Sequence, residues 1–148
     1  MRFSLIAFFF LNIINAQSNW TKYKVQLGGE IELPSEFKKE ILVASGTLQW
    51  FECIKYPEIE ITIESFGAGT EAELNQTYND DLKSFNGIVY KVKKNNWFVI
   101  SGVNEDKNIF YNKSIIKNGV QFHLRITYPE KHKTYMNKIL SKISNSFK

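Results

Sequence analysis

The chain has 148 residues, which is the usual size of a single domain. Hydrophobic residues make up 43% of it and charged residues 23%, a balance that argues against disordered, collagen-like and coiled-coil proteins. The formal net charge of +4 is too small to indicate nucleic-acid binding. One cysteine and two histidines leave little material for a disulfide framework or a zinc site.

The first residues have the features of a secretory signal peptide. Arg2 provides a positive start, Phe3 to Leu11 are almost entirely apolar, and Ala16 is a small residue before the expected cleavage point. The apolar stretch is far shorter than the ~20 residues that span a bilayer, so we expect cleavage. The sequence therefore predicts a signal peptide over 1–16 and one domain over 17–148, secreted or periplasmic, with no integral membrane segment after cleavage.

Short extended segments separated by turn residues make up the first half of the expected domain. Two extended runs between Tyr23 and Leu33 flank a pair of glycines, which predicts a hairpin. Ile41 to Ala44 fit either a strand or part of a short helix. Strands are predicted over Thr47 to Lys55 and over Glu58 to Phe66, where isoleucines alternate with polar residues.

A helix, four strands and a second helix are predicted in the second half. Thr70 and Glu73 form a capping-box pattern, so we expect a helix from about Thr70 to Ser84. Short turns separate the strands that follow, which favours an antiparallel meander. Pro129 suits the first turn of a final helix with one apolar face. The four strands are predicted at Ile88–Lys93, Trp97–Val103, Asn108–Ile116 and Val120–Tyr128.

Four short motifs carry a resemblance to known proteins: Asn96 to Gly102, Ile109 to Tyr111, Leu124 to Pro129 and Ile143 to Phe147. In this order they resemble a group of small exported bacterial proteins of uncharacterised function. The fold of that group is similar to the PsbP-like α/β/α sandwich, shared by the photosystem II protein PsbP, the DcrB proteins and Mog-type Ran-binding proteins. The resemblance covers about Glu71 to Phe147. It implies an α+β fold, with an antiparallel sheet of about six or seven strands flanked by helices, and a binding or assembly role.

The sequence contains no recognisable set of catalytic or metal-binding residues. Nucleophile-elbow, zinc-protease, calcium-loop and phosphate-loop motifs are all absent from it. Cys53 lies in a predicted strand, and we expect it to be buried. We therefore expect no enzyme, no metal site and no cofactor. A small hydrolase, in which a serine or cysteine meets His123 in the fold, stays an unfavoured alternative.

The last predicted strand carries the best candidate for a binding site. Its apolar side chains alternate with polar ones, and we expect the apolar set to lie under the final helix. A covered sheet face is normally apolar, so the polar set predicts an open or partly open surface. The polar set consists of Gln121, His123, Arg125 and Thr127.

The preceding strand contributes to that surface in one of two ways. Depending on the register, either Asn112 and Ser114 or Tyr111 and Lys113 point to the same side, and we include Tyr111 among the candidate binding residues. Arginine, histidine and tyrosine on a rigid sheet can bind an acidic partner or an anion.

These observations predict an exported, non-enzymatic binding or accessory protein of the bacterial envelope. We expect it to engage a protein or a small anionic ligand through a sheet face. An immunity-type inhibitor of a periplasmic toxin is the main alternative.

Overall fold

The computed structural model describes residues 19–40, 47–66 and 69–148. The predicted signal peptide and the ambiguous segment Ile41 to Ala44 lie outside these residues. Within the three ranges, no helix is long and apolar enough to cross a bilayer.

The described ranges contain nine strands and two α-helices. All the predicted strands and helices that lie in these ranges are present, with ends that differ by a few residues. A 3₁₀ turn at Glu130–His132 precedes the last helix, and another such turn lies at Gln26–Gly28. The strands are β1 (Trp20–Lys24), β2 (Glu30–Pro34), β3 (Phe37–Glu40), β4 (Leu48–Cys53), β5 (Glu60–Phe66), β6 (Ile88–Lys93), β7 (Trp97–Val103), β8 (Asn108–Lys117) and β9 (Val120–Pro129), and the helices are α1 (Glu71–Ser84) and α2 (Lys133–Ser146).

Seven strands form one antiparallel sheet in the order β3-β4-β5-β9-β8-β7-β6, and β1 and β2 form a separate hairpin. The meander predicted for β6 to β9 is therefore confirmed. Strand β9 also pairs with β5, so the two halves of the chain join in the middle of the sheet. This α+β architecture agrees with the predicted sheet of six or seven strands.

Helix α2 packs on one face of the sheet and closes the larger hydrophobic core. Met136 and Ile143 of the helix lie in one buried cluster with Phe51, Ile61 and Leu124 of the sheet. The alternate apolar side chains of β9 belong to this cluster, as predicted from their spacing. Cys53 is also buried there, in agreement with the prediction.

Helix α1 packs on the opposite face and covers β7 and β8. Leu74 of the helix is fully buried against Phe98, Ile100 and Phe110. The predicted capping box is formed, because Thr70 Oγ1 accepts from the backbone N–H of Glu73 (3.2 Å) and the Glu73 carboxylate accepts from that of Thr70 (2.9 Å). With one helix on each face, the domain is an α/β/α sandwich.

No pattern in the sequence indicates strand β3. Phe37 is its only buried residue, and three charged residues follow it, so the alternation needed to recognise a strand is too short. A short, charged strand is typical of the edge of a sheet, which is where β3 lies.

Candidate functional site

The register of the sheet brings most of the predicted binding residues together on the α1 side. Arg125 lies opposite Thr62 of β5 and Asn112 of β8. His123, two residues earlier, lies opposite Glu64 and Ser114. Directly paired residues share a face, so the set predicted on β9 (Gln121, His123, Arg125 and Thr127) faces α1 together with Asn112 and Ser114.

The prediction that Tyr111 belongs to this surface is wrong. Tyr111 lies opposite Ile126 and therefore points to the α2 side, as does Lys113. Its ring packs against the larger core, and its hydroxyl is 2.6 Å from Ser144 Oγ of α2. Of the two registers that the sequence left open, the structure contains the one that places Asn112 and Ser114 beside His123.

The predicted polar surface is only partly open, because α1 covers one side of it. Gln121 and His123 are 3% and 5% exposed, whereas Arg125 is exposed and Thr127 is half-buried. A cleft of about 550 Å³ lies between α1 and β9. The described residues that line this α1 cleft are Phe66, Glu73, Gln76, Thr77, Asp80, Asp81, Gln121, His123 and Arg125.

A hydrogen-bond chain holds His123 in its neutral form. The Thr77 hydroxyl donates to the Glu73 carbonyl (2.9 Å), so it can only accept from Gln121 Nε2 (2.9 Å). The amide group of Gln121 is thereby oriented, and its second N–H donates to His123 Nε2 (2.6 Å). Burial, with a smaller effect from Arg125, lowers the pKa of His123 to about 4. His123 is therefore a neutral acceptor near neutral pH.

Acidic groups dominate the charge of the α1 cleft. Arg125 is the only cation among the described lining residues, whereas Glu73, Asp80 and Asp81 are acidic. Burial raises the pKa of the Asp81 carboxyl, and the charge of Arg125 opposes that rise. This charge balance disfavours an anionic ligand at the cleft.

Next to the cleft, β4, β5 and the part of β9 around Arg125 expose side chains on the α1 side of the sheet. Trp50 is 37% exposed and lies opposite Thr62, which in turn lies opposite Arg125. Phe66 is 41% exposed, and its ring contacts the edge of the His123 ring at a centroid distance of 4.9 Å. We call the surface formed by Leu48, Trp50, Thr62, Glu64, Phe66 and Arg125 the open strip.

Sequence reasoning missed the role of β4 in this surface, although a signal was present. Trp50 alternates with the buried side chains of Phe51 and Cys53 and is on the same side as Glu52. A tryptophan on the polar side of a strand is a sign of an exposed aromatic group.

Within the described part of the chain, no group of three acidic, histidine or cysteine residues is arranged to hold a metal ion.

No family model and no curated protein matches the chain. Among solved structures, cyanobacterial PsbP from Synechocystis sp. PCC 6803 matches with a TM-score of 0.63 at 10% identity, over 88% of this chain and 92% of the other. The chain has a PsbP-like fold. A protein from Bacteroides thetaiotaomicron VPI-5482 matches 81% of this chain with a TM-score of 0.53 at 12% identity. This match covers 44% of the Bacteroides protein.

Proposed function

We propose that the chain is an exported, non-enzymatic binding protein of the bacterial envelope that engages a protein partner through the open strip. The observation that carries this proposal is the row Trp50, Thr62 and Arg125, which runs across three adjacent strands on the uncovered half of a sheet face. The expectation of export depends on the signal-like pattern of residues 1–16.

The residue types of the open strip favour a protein partner. Tryptophan and arginine are enriched among the residues that dominate the energy of protein interfaces. Within the described ranges, no carboxylate oxygen lies within 4 Å of the Arg125 guanidinium. Its N–H groups can therefore donate to a group of a bound partner. Paired strands hold the backbone of both residues, so binding orders only their side chains, which limits the entropy lost.

The charge around the open strip favours a partner with a basic or neutral contact surface. Glu64 belongs to the strip, and Glu52 and Glu60 form a neighbouring cross-strand pair on the same face. The carboxylates of the α1 cleft lie on its other side. Of the two predicted classes of partner, a protein therefore suits this face better than a small anion.

The surroundings of His123 support a non-enzymatic role. Its Nε2 atom is occupied by the Gln121 amide, and its pKa of about 4 makes it a weak base. A general base for hydrolysis at neutral pH requires a pKa nearer the working pH and an accessible nitrogen. This argument disfavours the hydrolase alternative.

An affinity pull-down with surface variants tests the proposal. The full chain, tagged at its C-terminus and expressed in its own host, is compared with a Trp50→Ser/Arg125→Ser variant. Both substitutions are at exposed positions, so thermal melting should show intact folding. The matched control, Val89→Ser/Lys91→Ser, removes an exposed apolar residue and a cation from β6 at the far edge of the sheet.

We expect one specific envelope protein to be recovered in stoichiometric amounts with the wild type and the control, and to be lost with the strip variant. Equal recovery with all three proteins would place the interface elsewhere. Absence of any specific partner under native extraction would contradict the proposal.

A further inference from the structure

A second pocket lies on the opposite side of the sheet from the open strip. It has a volume of about 530 Å³ and opens between the C-terminal end of α2 and strands β6, β7 and β8. Its walls include the aromatic side chains of Tyr90, Trp97, Tyr111 and Phe147. Both the volume and the aromatic lining are typical of sites for small organic molecules.

Lys113 carries a half-buried positive charge into this pocket. Its Nζ atom donates to the backbone carbonyl oxygens of Ser144 (2.6 Å) and Phe147 (3.4 Å). In the described ranges, no acidic group forms an ion pair with it. Burial lowers the pKa of the Lys113 ammonium group, which is the effect of partial desolvation without a compensating anion. The two carbonyls at the end of α2 and the Phe147 ring (6.0 Å) stabilise this charge, but no described carboxylate neutralises it.

The remaining charges near the pocket add to this imbalance. Lys117 also lines it, and no acidic side chain is among the described lining residues. The backbone oxygen of Lys148 accepts from the backbone N–H of Glu30 (2.7 Å), which holds the chain after α2 against β2 at the rim of the pocket. The described side chains that line the pocket therefore carry a net positive charge, from Lys113, Lys117 and Lys148, in contrast to the acidic lining of the α1 cleft.

Two hydrogen-bond donors in the pocket are available to a ligand. An ammonium group has three N–H bonds, and two of those of Lys113 reach the carbonyls. The Tyr111 hydroxyl and Ser144 Oγ are 2.6 Å apart, so one donates to the other, and the accepting hydroxyl keeps its own O–H to donate to a ligand. A carboxylate can accept from both donors and neutralise the lysine at the same time.

We propose that this pocket binds a small organic anion, with its carboxylate against Lys113 and its flat apolar body beside Trp97 and Tyr90. The site is independent of the proposed protein interface, because it lies on the other face of the sheet. A wholly inorganic anion would leave the aromatic walls without a partner. A neutral aromatic molecule would leave the lysine charge uncompensated.

Three probes separate these possibilities: 2-naphthoate, its neutral isostere 2-naphthamide, and inorganic phosphate. Each is titrated into the full protein, and binding is followed by the indole N–H signals of the tryptophans in heteronuclear NMR spectra. We expect saturable binding of naphthoate, with the largest shifts at Trp97 and at backbone amides of residues 113 and 144–147. Naphthamide and phosphate should each bind at least about tenfold more weakly, since each lacks one of the two interactions.

The variant Lys113→Met tests the role of the charge, because methionine keeps much of the apolar stem. We expect it to weaken naphthoate binding by about tenfold or more and to leave naphthamide binding unchanged. Lys91→Met, which removes an exposed lysine outside the pocket, is the matched control and should bind naphthoate as the wild type does. A second measurement uses the wild type alone. A bound carboxylate favours the charged form of the lysine, so saturating naphthoate should raise the pKa of Lys113, measured by a pH titration of its Cε signal in NMR spectra.

Three results would each overturn the proposal. They are no saturable naphthoate binding, equal affinity for naphthoate and naphthamide, and shifts confined to residues outside the pocket. Phosphate binding as strong as that of naphthoate would overturn the assignment of the aromatic wall. If saturating naphthoate left the pKa of Lys113 unchanged, the assignment of Lys113 as the group that contacts the carboxylate would be overturned. This result is decisive even if the Lys113→Met variant fails to fold.

Discussion

Replacing His123 with glutamine should remove a specific part of the acid sensitivity of the fold. The folded protein holds this imidazole neutral, with its pKa lowered to about 4 from the ordinary value of 6.5. The unfolded chain therefore takes up a proton at a pH where the folded chain does not. Since protons then favour the unfolded state, the free energy of unfolding is unaffected above about pH 6.5 and falls as the pH decreases toward about 4.

The size of the effect follows from the shift of the pKa. Each unit corresponds to about 1.4 kcal/mol, and about 1.5 units of the shift lie between pH 6.5 and pH 5. Because His123 is only 5% exposed, solvent screening reduces this value little. The wild type should therefore lose about 2 kcal/mol more than His123→Gln between about pH 7.5 and about pH 5.

Urea unfolding at a series of pH values, followed by circular dichroism, measures this difference. Glutamine can place an oxygen near the position of Nε2 and accept from Gln121, but it does not titrate. The carboxylates titrate in both proteins, so their contribution cancels in the comparison. Equal pH dependence in the wild type and His123→Gln would refute the assignment of a neutral, buried His123.

Three further predictions test the fold. Thr70→Ala removes the capping box and should lower the free energy of unfolding by about 1 kcal/mol, measured by urea titration. Gly102→Ala would place a Cβ atom 2.0 Å from the carbonyl oxygen of Gly87 and should lower the free energy of unfolding by more than about 3 kcal/mol. Gly119 has a positive φ but open space around it, so Gly119→Ala should lower it by only about 1–2 kcal/mol. Equal losses in urea titrations of the two variants would contradict the close contact between the strand and Gly87. Burial raises the pKa of the Cys53 thiol, so a thiol reagent should label it only after unfolding, and rapid labelling of the native protein would contradict its placement.

Local patterns in the sequence were sufficient to predict most of the fold. The α1 capping box, the alternation along β9 and the turns between β6 and β9 are all short-range signals, and each is confirmed. Strand β3 was missed because its four residues contain one buried position. The pairing of β5 with β9 joins residues far apart in the chain, so no turn between them could indicate it.

The candidate site was only partly predictable, because it depends on register and on the position of α1. Strand β8 has polar and aromatic side chains on both faces, so its pattern fits either register, and Tyr111 was placed on the wrong side. The burial of His123 depends on α1, whose own position is determined by the packing of Leu74 against β7 and β8. Neither the covering of His123 by α1 nor the packing of Leu74 against β7 and β8 leaves a signal in the sequence of β9.

The direct test of the open strip as a protein interface is site-specific photo-cross-linking in the envelope. A photoreactive phenylalanine analogue replaces Trp50 in one protein and the more exposed Val89, on the far edge strand, in another. We predict one discrete cross-linked product from position 50, which disappears when Arg125→Ser is added, and no such product from position 89. No product from position 50, or the same product from both positions, would contradict the proposed function.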